Sequence, residues 1–180
     1  MHVPTHIMTG WCVGNLFPLT ARERAACMAA ASVPDLDGLS IVAGESAYQT
    51  YHHLLGHNLL FALVIATTLA AFSRGRRIVG VFVLYLALAH SHLVMDYFGS
   101  GPNWPIYYHW PFDPSFKFRN QNGWEFTSWQ NTTTAAVLLL WTIAIAIFKR
   151  RTPVELLTPG LDEQLVKSAR RLAGRDRQPS

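Results

Sequence analysis

The stretch Ile78 to Asp96, IVGVFVLYLALAHSHLVMD, decides how this chain folds. Its first eighteen residues carry no formal charge and are almost uninterruptedly apolar, slightly short of the roughly 20 residues of an ideal membrane span, and predict a membrane helix. The run ends in His-Leu-Val-Met-Asp. His92 and Asp96 stand four apart, so they share one helix face within reach of one ion. A carboxylate in an apolar helix is costly unless paired, which makes Asp96 a functional candidate. Its competing reading is an interfacial Asp paired with His92 or a helix end.

Two further runs resemble it: Leu59 to Phe72 (LLFALVIATTLAAF) and Ala135 to Phe148 (AAVLLLWTIAIAIF). Both fall short of the roughly 20 residues of an ideal span. Flanking turns, including His57 and Thr132 to Thr134, are therefore expected to lengthen them. The N-terminal third is weaker. Ile7 to Leu19 is broken by Gly10, Gly14 and Pro18, and Ala25 to Val33 is short and Ala-rich, so two short helices joined around Arg22 and Arg24 are expected. The chain of 180 residues is 50% hydrophobic and 14% charged, which excludes an ordinary soluble domain. An all-α, polytopic membrane bundle of about five membrane-associated helices follows, with residues 1–150 as the embedded domain and 151–180 as a basic tail.

The net charge of +4 gathers at Arg22 and Arg24, Arg74 to Arg77, Lys149 to Arg151 and along the tail from Lys167. The tail reads as a solvated, partly helical cytoplasmic end, and nucleic acid is not expected as a partner. Positive charge prefers the cytoplasmic side, and one topology puts the first three clusters inside. The N-terminus lacks the pattern of a cleaved signal peptide, so the spans are expected to do the targeting. Cys12 and Cys27 show no ligand spacing and read as buried small hydrophobes.

That topology brings His6, Asp35, Asp37, His52, His57, His92 and Asp96 to the outer ends of their segments. At 1.5 Å per residue, His57 lies about 25 Å along its helix from Arg74, and His92 about 22 Å from Arg77. One metal site near the outer face is therefore expected. The PDLDG stretch, Pro34 to Gly38, offers two carboxylates where Pro34 ends a helix, although alone it reads as a turn. In YHHLLGHN, Tyr51 to Asn58, regular helix favours His53 with His57, while a helix starting near Leu55 frees His52 to approach from the loop. His90 points to another helix face, and His2 and His109 have no spacing argument.

These motifs, in this order, resemble the membrane-bound metal-dependent hydrolases related to YdjM, a LexA-regulated bacterial inner-membrane family. The resemblance rests on Thr5-His6, Pro34-Asp35-Leu36-Asp37, His52 through Asn58, His92 to Asp96 and Trp110-Pro111-Phe112. The chain departs where the family has Arg, Thr and Ser, carrying His53, Gly56 and Asn58 instead. The resemblance favours His52 over His53. It implies a hydrolase of the inner membrane acting on a phosphoester or phospholipid, with membrane lipid or a small molecule as partner or substrate.

Imidazole and carboxylate together suit zinc, manganese or iron, as one or two ions. The expected ligands are His6, Asp35, Asp37, His52, His57, His92 and Asp96, with Asp35, Asp37, His57 and Asp96 also as catalytic candidates. A different class remains beside this one: a non-enzymatic membrane protein whose metal site is structural or carries divalent ions. The aromatic loop from Tyr97 to Gln130 is expected beside the site, as an interfacial belt or a lid, with Lys117 and Arg119 as candidate phosphate binders.

Overall fold

A computed structural model describes residues 1–73 and 77–175. Arg74 and Arg76 of the second basic cluster lie outside the described residues. The elements are α1 (Val3–Gly14), α2 (Ala21–Ser32), a 3-10 segment (Val33–Ala43), α3 (Glu45–Tyr51), α4 (Leu59–Ala71), α5 (Ile78–Gly99), α6 (Trp129–Lys149) and α7 (Pro159–Leu172). Among the described residues there is no strand, only an isolated antiparallel bridge between Ile106 and Phe118. The chain is an all-helical membrane bundle.

Among the described residues, three stretches are long and apolar enough to cross a membrane: Ala21–Ala43, Ile78–Gly99 and Trp129–Lys149. The α-helix of the first ends at Ser32, as expected before Pro34, but a 3-10 segment follows instead of the expected irregular loop. Proline lacks an N–H and is tolerated at the first positions of a helix. Here it opens the 3-10 segment, and the helical path continues through Asp35 and Asp37. The expected division around Arg22 and Arg24 also moves, because both lie in the first turn of α2 behind a capping box of Thr20 and Glu23. α4 is not lengthened by His57. Asn58 caps it, its side chain accepting from Phe61 N–H, so it remains a 13-residue apolar helix.

The helices pack through small residues. Cys27, Ala30 and Ala31 of α2 meet Ala66 and Ala70 of α4 and Val81, Tyr85 and Leu88 of α5. Lipid tails are as apolar as leucine, so close van der Waals approach holds such a bundle together. Gly10 shows how close: a Cβ there would stand 2.4 Å from the carbonyl oxygen of Cys27. Cys12 and Cys27 are both buried and free. Val79, Val83 and Val94 on α5, and Val137, Leu140 and Ile143 on α6, face outward, as lipid-facing positions do.

The basic clusters meet the α1–α2 link at one end of the bundle. Arg77 donates to the carbonyl of Pro18 at 3.2 Å, Lys149 donates to that of Asn15, and Arg24 donates to that of Leu19. Arg24 also pairs bidentately with Glu155, at 2.7 and 2.8 Å, which ties the chain after α6 back to α2. The other end gathers the start of α1, the 3-10 segment, the 52–58 link and the end of α5. Every histidine and aspartate of the expected cluster lies there.

Candidate metal centre

Asp96 is the hub. One turn before the end of α5 it is fully buried, and its Oδ2 lies 2.9 Å from His92 Nε2, 3.1 Å from His57 Nε2 and 3.9 Å from His53 Nε2. Its Oδ1 faces His6 Nε2 at 3.3 Å and accepts from Ser100 Oγ at 3.0 Å and from the Met1 ammonium. Asp35 completes the ring, with Oδ1 3.6 Å from His92 Nε2 and 3.9 Å from His57 Nε2, and Oδ2 3.9 Å from His6 Nε2. Two ligand groups result, His6–Asp35–His92–Asp96 and His53–His57–Asp96, each with its ligand atoms within 4.8 Å of one another. They share Asp96.

The donor set fits a divalent cation. Ligand atoms about 2.0–2.2 Å from one tetrahedral ion stand about 3.3–3.6 Å apart, and the separations here, from 2.9 to 3.9 Å, bracket that spacing. His57 Nε2 and His92 Nε2 approach to 3.0 Å, so both cannot carry a proton in that gap. The Oδ2 of Asp35 is buried without a hydrogen-bond partner. Among the described residues no Lys or Arg side chain pairs with Asp35, Asp37 or Asp96. Among the described residues the Met1 ammonium on Asp96 is the one fixed cation against these three carboxylates, and a metal ion would supply the positive charge they still lack.

Asp37 plays a different part. Its Oδ2 contacts His57 Nδ1 at 3.0 Å and accepts from Gly56 N–H at 2.9 Å, while its Oδ1 meets His52 Nδ1 at 2.7 Å. A carboxylate behind a ligating imidazole fixes its tautomer and aims its other nitrogen inward. Asp37 and His52 therefore lie one layer behind the two groups, and His53 stands where the resemblance favours His52. His92 is held in the same way, its Nδ1 2.8 Å from the carbonyl oxygen of Ala31.

The 52–58 link explains how two histidines four apart face inward without a helix. α3 ends at Tyr51, and His53 adopts φ 66°, a left-handed conformation that turns its ring onto the stacked ring of His57, 4.1 Å away. The link lies against the 3-10 segment, because a Cβ on Gly56 would fall 2.1 Å from the carbonyl oxygen of Pro34. Only a glycine permits that approach. Burial pushes the His53 imidazole well below its ordinary value, leaving it in the neutral form that ligates. Burial also opposes charge on His57, but Asp37 and Asp96 outweigh it and raise it to about 9.

The aromatic loop folds back over the link. Leu59 N–H donates to Tyr108 O at 2.9 Å, and Trp104 packs on His52 and His53 with ring centroids 5.9 and 5.6 Å away. His90 stays off the centre and contacts Tyr108 Oη at 2.9 Å through Nε2. Lys117 and Arg119 are both exposed. Lys117 Nζ stands 5.7 Å from the Tyr107 ring, and the backbone carbonyl of Arg119 accepts from Tyr97. Trp104 lies beside the site, as expected of the aromatic loop. Sequence reasoning passed over Ser100 and Met1: Ser100 had a signal, four residues beyond Asp96 on the same helix face; Met1 had none.

A family model described as YdjM inner membrane protein matches residues 1–158. No curated protein and no solved structure matches the chain.

Proposed function

The chain belongs to the YdjM inner membrane protein family, and on that premise we propose that it is a membrane-bound, metal-dependent hydrolase of a phosphoester or phospholipid. The sharing of Asp96 between two ligand groups carries this reading. A pair of neighbouring divalent ions, zinc first and manganese or iron next among those suited to imidazole and carboxylate, would supply Lewis acidity to a phosphoryl oxygen and would acidify water. His6, Asp35 and His92 would hold one ion, His53 and His57 the other, and Asp96 would serve both.

The protein's own groups then have distinct tasks. Asp37 holds His57 by Nδ1, and Ala31 O holds His92 by Nδ1, so both Nε2 atoms stay aimed inward. Asp35 is the least covered of the three carboxylates, with a side chain 10% exposed against 2% and 0% for Asp37 and Asp96. In this reading it would ligate through Oδ1 and take a proton from attacking water through Oδ2, which has no hydrogen-bond partner. Trp104 and His52 both pack against the ring of His53, with centroids 5.6 and 4.4 Å away.

The opposing reading, a transport site, needs a polar route continuing through the bundle. Below the centre the interior is instead filled by Ala66, Ala70, Tyr85 and Leu88. The orientation belongs to the same proposal: the arginine-bearing end and the C-terminus cytoplasmic, the metal centre outward. The test is elemental analysis of purified protein, followed by phosphoester and phospholipid hydrolysis with and without chelator. Bound divalent metal with chelator-sensitive turnover is expected. Metal without turnover on any phosphoester would overturn the hydrolase reading.

A further inference from the structure

At the opposite end from the metal centre, two hollows meet at one arginine. The larger, about 1050 Å³, opens between α2, α4 and α5, with Thr20, Arg22 and Arg77 at its polar edge and Leu69, Phe72 and Leu156 on its apolar side. The smaller, about 460 Å³, is an almost wholly apolar groove along α5 past Gly80, Val83, Leu84 and Ala87, closed on one side by Phe17. Arg77 lines both and rests on the ridge between them through its bond to Pro18 O. From Gly80 to Ala87 the groove runs about 10 Å along the helix axis.

We propose that these hollows form a seat for an anionic phospholipid, its phosphate between Arg77 and Arg22 and one acyl chain in the α5 groove. Three observations select this occupant. The polar edge sets two exposed arginines, Arg22 and Arg77, against one carboxylate, the buried Glu23 that is taken up by Thr20 in the capping box, and exposed arginines at a bilayer surface attract anionic headgroups. The groove is apolar and lies along an apolar helix long enough to cross the bilayer. Its floor contains a glycine at which an added Cβ would meet nothing within 4 Å, so the groove is open where a chain would lie. The seat is separate from the metal centre, at the far end of α5 from Asp96, and does not depend on the hydrolase reading.

The test uses the full-length protein in detergent, titrated with phosphatidylglycerol or phosphatidylcholine, with bound lipid counted by native mass spectrometry. The wild type is expected to retain phosphatidylglycerol over phosphatidylcholine by on the order of tenfold, for two arginines facing one headgroup. Arg22→Gln with Arg77→Gln brings the two lipids to equal retention. Gly80→Trp fills the groove from its open side and lowers retention of both, and all variants keep the wild-type helical circular dichroism and metal content. Equal retention of the two lipids by the wild type, an unchanged preference in the double variant, or no effect of Gly80→Trp would each overturn the proposal.

Discussion

The two ends of the bundle both bury charge, and they resolve it in opposite ways. At the arginine end, Arg24 is 5% exposed and meets Glu155 in a two-pronged pair, while Lys149 and Arg77 rest on backbone carbonyls. At the other end, Asp35, Asp37 and Asp96 are packed among histidines, and Asp35 Oδ2 is left without a hydrogen-bond partner. A buried charge with its partner beside it is architecture. A crowd of ligand atoms in which three carboxylates share one fixed cation, the Met1 ammonium, is a candidate cation site.

The largest effect expected from breaking this contrast is that of Asp96→Ala. Because both ligand groups share that carboxylate, the variant loses all bound metal, measured by elemental analysis. Next come the single-group variants. His53→Ala or His6→Ala lowers metal content by about half, because each belongs to one group only. Asp37→Asn acts through His57 and weakens metal affinity by about 10- to 100-fold in a chelator competition, with the ion count at saturation unchanged.

The proton count sharpens the same comparison. Without the ion, His57 is raised to about 9 by Asp37 and Asp96, so at pH 7 it carries a proton that a metal must displace. Calorimetry in buffers of different ionisation enthalpy should show release of about one proton per chain from this ring, and metal affinity that falls as pH drops below 9. The smallest effect belongs to the paired end. Arg24→Met with Glu155→Leu removes both partners, so stability changes little, in contrast to the roughly 3–5 kcal/mol cost of removing one, and metal content stays at the wild-type value.

Most of the bundle was legible because apolar runs are a strong signal. Leu59 to Phe72, Ile78 to Met95 and Ala135 to Phe148 all became helices within a few residues of their expected limits, α6 starting earlier at Trp129. The gathering of His6, Asp35, Asp37, His57, His92 and Asp96 at one end was legible too, because it follows from counting passes and helix rise. What escaped was local geometry within short irregular segments. Periodicity presumes regular helix, and His53 leaves it through one left-handed residue; nothing in YHHLLGHN announces φ 66°. In the same way, two aspartates at i and i+2 say that carboxylates are near. The turn of the 3-10 segment decides that Asp35 joins a ligand group while Asp37 stands behind His57. Met1 entering the Asp96 contact had no signal at all, since it arises from how α1 packs.

The central claim is that one carboxylate, Asp96, serves two ligand groups. It is tested most directly by elemental analysis of purified wild-type and Asp96→Asn protein at matched helical content. The wild type should carry two divalent ions per chain and the variant none, because both groups lose their common anionic ligand. Equal metal content in the two proteins would contradict it.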